Sequence, residues 1–195
     1  MLAQKNIPNL LTFGRVLAVP VALYLMTVGA RPLLAVFILA SITDFLDGFL
    51  ARKWNATSAL GTMLDPIADK LLVTLMLLYL MVAGHAPLLP IAAIILREIY
   101  VAGLREFLAL RGIPLPVSHG GKLKTALQML AIIALTAALA FVQQQAWIAG
   151  IWLLWAAAAV SLVTAALYTL AALPPALRDK YRRLLFTMLR IGLRS

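Results

Sequence analysis

Residues 41–70 read SITDFLDGFLARKWNATSALGTMLDPIADK and hold four of the seven acidic side chains in a chain of 195 residues. The chain as a whole is 64% hydrophobic and 12% charged. An ionisable side chain in a membrane costs roughly 2.5 kcal/mol or more on insertion scales, so such a cluster indicates function. The fold class and the chemistry are both predicted from this stretch and from the residues on either side of it.

Apolar runs on both sides of the cluster determine the fold class. Each run of about 20 residues is long enough to cross the roughly 30 Å hydrocarbon core of a bilayer. The sequence therefore predicts an all-α membrane protein with six transmembrane helices. The predicted spans lie at roughly 7–28, 33–53, 60–83, 88–110, 122–142 and 147–172.

Lysine and arginine alternate between the predicted loops and give the orientation. The N-terminus, the second-to-third loop and the fourth-to-fifth loop carry most of the loop cations. The positive-inside rule therefore predicts a multi-pass protein with both termini in the cytoplasm and the acidic cluster near the cytoplasmic side of the membrane. Because these cations lie beside membrane spans, the net charge of +10 indicates anionic membrane lipids and phosphorylated substrates as partners rather than nucleic acid.

Two parts are expected along the chain. Residues 1–173 form one transmembrane catalytic domain, and residues 174–195 form a basic tail in which apolar residues recur at helical spacing. This pattern predicts an amphipathic helix on the cytoplasmic leaflet. An unstructured tail that only sets topology is the alternative.

Helical spacing gathers the aspartates on two faces. Asp44 and Asp47 are three residues apart on one helix, and Asp65 and Asp69 are four apart on the next. Residues at these spacings share a helix face. Because the connection between the helices is short, we expect them to be antiparallel neighbours with facing carboxylates.

Four carboxylates in a region of low dielectric repel one another unless cations lie between them. The chain has no cysteine, and hard oxygen ligands favour Mg²⁺, Mn²⁺ or Ca²⁺. We expect two ions, a pairing that serves phosphoryl displacement. Gly48, Ala51 and Gly61 would let a nucleotide or diphosphate lie against the helix backbones. The alternatives are pairing of the aspartates with arginines, and a proton or metal-ion pathway.

A second group of charges indicates where an acceptor substrate binds. Arg97 and Arg105 are eight residues apart in the fourth span, and Lys122 and Lys124 follow at the start of the fifth. Such a cluster suits a phosphorylated acceptor. Two alternatives stay open, because the arginines can pair with Glu98 and Glu106, and the lysines can be topology signals.

The cluster matches D-x2-D-G-x2-A-R-x8-G-x3-D-x3-D at all eight fixed positions. It resembles the CDP-alcohol phosphatidyltransferase family, and segments from about Asn6 to about Met129 resemble its bacterial members that use glycerol phosphate. The matched positions are Asp44, Asp47, Gly48, Ala51, Arg52, Gly61, Asp65 and Asp69.

The resemblance implies a six-helix, homodimeric enzyme of the bacterial inner membrane that uses Mg²⁺ or Mn²⁺. It would transfer the phosphatidyl group of CDP-diacylglycerol to sn-glycerol 3-phosphate and release CMP. It also implies that the four aspartates ligate metal and that Asp69 is the base. The residues that it implies in contact with CDP-diacylglycerol are Pro8, Asn9, Leu10, Leu11, Gly48, Arg52 and Ser58. From the cation cluster alone, inositol phosphate is an equal candidate for the acceptor.

Overall fold

The computed structural model describes residues 2–54, 59–112 and 119–173. In these ranges the chain forms six α-helices and no strand, which confirms the all-helical class. The predicted tail and Ser58 lie outside the described residues. The helices are α1 (Leu2–Val28), α2 (Ala30–Trp54), α3 (Ala59–Val82), α4 (Leu88–Leu110), α5 (His119–Phe141) and α6 (Gln144–Ala172).

Most of the helices begin earlier than the apolar runs predicted, whereas α4 begins at residue 88 as predicted. α1 begins at Leu2 rather than near residue 7, and α6 begins at Gln144 rather than near residue 147. α2 begins at Ala30, which places Pro32 in its first turn, where a helix has no need of the missing N–H. Hydropathy identifies the apolar part of a helix, whereas backbone hydrogen bonds continue through polar residues.

Three tight turns lie together at one end of the bundle. The α1–α2 turn is made at Gly29, whose φ of 141° favours glycine. Arg31, at the start of α2, donates from Nε to the carbonyl oxygen of Ala140 near the end of α5, at 3.0 Å. Trp147, at the start of α6, donates from Nε1 to the carbonyl oxygen of His85 in the α3–α4 turn, at 3.1 Å. The α2–α3 and α4–α5 connections therefore lie at the other end.

The core draws buried apolar side chains from all six helices. α5 packs against α6, α2 and α3, while α4 packs mainly on α6 and α1 packs on α2 and α3. The largest of these side chains exclude water from the centre of the bundle. One representative from each helix is Ala22, Phe37, Met76, Ile94, Leu135 and Leu154.

α2 and α3 share neighbours in the bundle. In the described residues both helices pack on α1 and α5. The two acidic helices are therefore held by shared neighbours. The expected meeting of their acidic faces stays a prediction.

Two helices in the described ranges have the length and composition of membrane spans, Gly120–Phe141 and Gln144–Ala172. Two shorter apolar stretches belong to α1 and α2, and they run from Val16 to Val28 and from Ala30 to Thr43. Within α4, four ionisable side chains interrupt the apolar sequence. A count of six transmembrane helices therefore stays a prediction.

The α5–α6 interface depends on Gly150. A Cβ atom at this position would lie 2.6 Å from Cγ of Leu135 and 3.1 Å from its backbone nitrogen. We expect Gly150→Val to destabilise the protein by about 1–3 kcal/mol, because the backbone cannot move aside as a side chain can. Thermal unfolding in detergent measures the effect. Gly103→Val is the matched control, since nothing lies within 4 Å of a Cβ there, and an equal loss in both variants would contradict this explanation.

Candidate functional site: a cavity beside the acidic helices

The four aspartates of the motif lie on two helices. α2 contains Asp44 and Asp47, and α3 contains Asp65 and Asp69, so each pair lies on one helix at the predicted spacing. Asp69 is the member of the set whose side chain the structure describes, and it is partly buried. The donor chemistry, four carboxylates on two helices, fits a hard divalent cation. The metal-ligand set as a whole stays a prediction.

Asp69 lines a cavity of about 230 Å³ between α3, α4 and α5. Apolar side chains from the same three helices, including Val73, Ile94 and Met129, make up the rest of its wall. The cavity therefore combines a largely apolar wall with a small group of polar side chains, as small-molecule sites usually do. Its polar lining residues are Asp69, Lys70, Thr74, Glu98, Lys124, Thr125 and Gln128.

Glu98 joins two buried cations beside this cavity. Its Oε1 atom accepts from Nζ of Lys124 in a short hydrogen bond and from a guanidinium nitrogen of Arg97 at 3.0 Å. The side chains of Lys124 and Arg97 are both 7% exposed. Removal of the shared carboxylate would leave two buried positive charges without compensation, which is strongly unfavourable. The Lys124–Glu98 ion pair therefore links α5 to α4 beside the cavity.

Arg97 is directed away from the cavity toward α6. Its second guanidinium nitrogen donates to Oγ1 of Thr164 at 3.2 Å, and its guanidinium carbon lies 5.9 Å from the ring centroid of Tyr168. Its Nε has no hydrogen-bond partner among the residues that the structure describes. These contacts favour the alternative in which Arg97 pairs within the bundle.

The four cations of the predicted acceptor site have different environments. Lys124 is buried and lines the cavity, whereas Arg105 and Lys122 are exposed and do not line it. Eight residues of helix correspond to a rotation of about 80°, so Arg97 and Arg105 need not face the same neighbour. The structure places Lys124, and not the whole set, on the cavity that Asp69 lines.

The residues predicted to contact CDP-diacylglycerol fall mostly on helices. Pro8–Leu11 belong to α1, Gly48, Ala51 and Arg52 to α2, and Gly61 to α3. Because α1 packs against both α2 and α3, its predicted contact stretch belongs to a helix that adjoins both acidic helices.

Reasoning from the sequence missed three residues in this region. Gln128 lines the cavity one turn after Lys124, and Thr164 and Tyr168 of α6 surround Arg97. The sequence does contain a pattern that indicates the two residues of α6. Polar side chains recur there at spacings of three and four in an otherwise apolar span, at Ser161, Thr164 and Tyr168. Polar residues on one face of a membrane helix often contact a polar partner on a neighbour.

The family model for CDP-alcohol phosphatidyltransferase matches residues 5–163 of this sequence. The chain belongs to the CDP-alcohol phosphatidyltransferase family, a family of membrane-associated transferases of phospholipid biosynthesis. The match covers α3, α4 and α5, which bound the cavity, and all four aspartates.

Two similar bacterial proteins of this family carry the same name. A protein of Rickettsia prowazekii (strain Madrid E) named CDP-diacylglycerol–glycerol-3-phosphate 3-phosphatidyltransferase is 48% identical over 136 residues, which cover 68% of this chain and 75% of that relative. A protein of the same name from Salmonella choleraesuis (strain SC-B67) is 38% identical over 172 residues, which cover 84% of this chain and 89% of the relative.

Proposed function

We propose that this chain transfers the phosphatidyl group of CDP-diacylglycerol to sn-glycerol 3-phosphate, giving phosphatidylglycerol phosphate and CMP. The names of the similar bacterial proteins support this reaction. The structural observation that carries it is the cavity in which Asp69 and the buried Lys124 line one space. A carboxylate and a cation facing one cavity suit an acceptor with a hydroxyl at one end and a phosphate at the other.

The proposed metal site uses Asp44, Asp47, Asp65 and Asp69 as ligands for Mg²⁺ or Mn²⁺, with two ions in all. Bound divalent ions would neutralise the charge of the diphosphate. The oxygen-only donor set and the placement of the aspartates on two helices support this assignment.

The lipid substrate is proposed to lie along α1, α2 and α3. Gly48, Ala51 and Gly61 lack large side chains, so the diphosphate and nucleoside can approach the helix backbones. Arg52 supplies a guanidinium for the diphosphate. We also assign to this site Ser58 and the α1 stretch Pro8, Asn9, Leu10 and Leu11.

In the proposed reaction Asp69 accepts the proton of the primary hydroxyl of glycerol 3-phosphate. The hydroxyl oxygen forms a bond to the phosphorus of the phosphatidyl group, and the bond from that phosphorus to the oxygen of CMP breaks. A partly buried carboxylate within reach of the acceptor is suited to this role. No covalent intermediate is required.

Lys124 is the leading candidate for the acceptor phosphate. An ammonium group has three N–H donors, and one of them is used by Glu98, so two remain for the cavity. Arg105 and Lys122, which are exposed, are proposed to attract the anionic acceptor from solution. Arg97 is assigned the supporting role of holding Glu98.

The topology is part of the same proposal. Six transmembrane helices over residues 1–173 place both termini and the active site on the cytoplasmic side of the inner membrane. The basic tail, 174–195, lies on anionic lipids, and the enzyme is a homodimer. The shared location of three turns at one end, with the cavity away from them, is compatible with an active site at the opposite end.

One assay tests the reaction. Purified full-length protein is incubated with CDP-diacylglycerol and Mn²⁺ or Mg²⁺ together with sn-glycerol 3-phosphate, inositol phosphate or serine, and CMP release is measured. We expect glycerol 3-phosphate to raise CMP release at least tenfold above the acceptor-free control, since binding an acceptor positions its hydroxyl for attack. Greater release with inositol phosphate would reassign the acceptor, and metal flux without CMP release would indicate a transporter.

A further inference from the structure

Gln128 is a buried residue whose side chain forms part of the cavity wall. The residue is 4% exposed overall, and it lines the same cavity as Asp69 and Lys124. Its neighbours Lys124 and Thr125 donate to Glu98 and to the carbonyl oxygen of Gly121. An amide on a largely apolar cavity wall is one of the few polar groups that can hydrogen-bond and orient a ligand there.

The location of Gln128 relates it to both ends of the proposed acceptor. It follows Lys124 by four residues on α5, so the two side chains share a face about 6 Å apart along the helix axis. Asp69 lines the same cavity from α3. An acceptor whose phosphate meets Lys124 would therefore have the atoms next to that phosphate within reach of Gln128.

Glycerol 3-phosphate carries a secondary hydroxyl among these atoms. An amide has both donor and acceptor atoms, and a hydroxyl also has both, so the two groups are complementary. The apolar part of the cavity wall, which includes Leu77, Ile94 and Met129, offers no hydrogen bond to that hydroxyl.

We propose that Gln128 is a specificity-determining residue whose amide hydrogen-bonds the secondary hydroxyl of a polyol phosphate acceptor. This inference rests on the proposed function and deepens it. It assigns to Gln128 the recognition of the carbon chain between the phosphate and the reacting hydroxyl. A site that pairs a buried polar group with a substrate hydroxyl discriminates against an analogue without that hydroxyl.

The test compares two acceptors in the wild type and in Gln128→Met. sn-Glycerol 3-phosphate is one acceptor, and 3-hydroxypropyl phosphate, which lacks only the secondary hydroxyl, is the other. We expect the wild type to prefer glycerol 3-phosphate by about tenfold in kcat/KM for CMP release, and the variant by less than about twofold. The loss should fall on glycerol 3-phosphate, while kcat/KM for the analogue stays unchanged.

The ratio of the two kcat/KM values is measured within one preparation, so it does not depend on the folded fraction of the variant. Gln144→Met is the matched control, because Gln144 is exposed at the far end of α5 and α6 and should leave the preference at its wild-type value. A preference retained by Gln128→Met, an equal loss for both acceptors, or a raised KM for CDP-diacylglycerol would overturn the inference. Absence of CMP release from the wild type with either acceptor would instead overturn the proposed function on which it rests.

Discussion

Asp69→Asn is expected to lower the rate of CMP release by about 10³-fold or more, because the amide cannot accept the proton of the acceptor hydroxyl. The substitution preserves side-chain volume, and the other motif aspartates are untouched. The folded variant should therefore still bind CDP-diacylglycerol, with reduced affinity if Asp69 also ligates metal. Turnover is measured with saturating substrates, and lipid binding is measured separately in detergent with the labelled CDP-lipid.

Glu106→Gln is the matched control for this change. It makes the same carboxylate-to-amide replacement at an exposed position on α4 outside the cavity, and its activity should stay within about threefold of the wild type, as for most surface substitutions. Wild-type turnover in Asp69→Asn would exclude Asp69 as the base. Complete loss of CDP-lipid binding by a folded Asp69→Asn protein would show that this residue serves mainly to bind the lipid substrate.

Lys124→Met is expected to raise the KM for the acceptor by about 10²-fold, since a charge-assisted hydrogen bond to a phosphate contributes roughly 1.5–3 kcal/mol. The ion pair between Arg97 and Glu98 at 3.0 Å remains in this variant, so the partly buried carboxylate keeps a cationic partner. The fold should therefore survive the change. The KM for CDP-diacylglycerol should not change, because the proposed lipid site lies on other helices.

Lys122→Met is a close comparison, two residues away on the same helix. Lys122 is exposed and does not line the cavity, so we expect its replacement to alter the acceptor KM by less than about threefold, as an exposed charge is well screened. Equal losses in the two variants would favour a general electrostatic role for both lysines. An unchanged KM in Lys124→Met would remove Lys124 from the acceptor site and leave it as a partner of Glu98.

Much of the architecture follows from local patterns. Apolar runs of membrane-spanning length indicated six helices, and the six helices of the described ranges coincide with them to within a few residues at most ends. Gly29 and Gly84 both take a positive φ in the turns where the sequence placed breaks. These features depend on interactions between residues close in sequence, which is why they can be predicted without knowledge of the tertiary structure.

The acidic motif is also a property of the sequence alone. Its eight fixed positions combine chemistry with helical spacing, and the family match over residues 5–163 confirms the membership that they indicate. Spacing along one helix shows which residues share a face. It does not show which other helix that face meets, so the meeting of the two acidic faces stays a prediction.

Only the tertiary structure distinguished the four cations grouped by sequence. Arg97 turns toward Thr164 and Tyr168 of α6, and Lys124 turns toward Glu98 at the cavity. The hydrogen bond from Arg97 to Thr164 joins residues 67 positions apart, and no local pattern encodes the packing of α4 between its neighbours. Burial separates the cations that need a partner from those that do not. A charge removed from water is unfavourable unless it is paired, whereas an exposed charge is stabilised by water. The sequence therefore determined the family, the helices and the acidic cluster, and the packing of α3, α4 and α5 determined which polar side chains face the cavity.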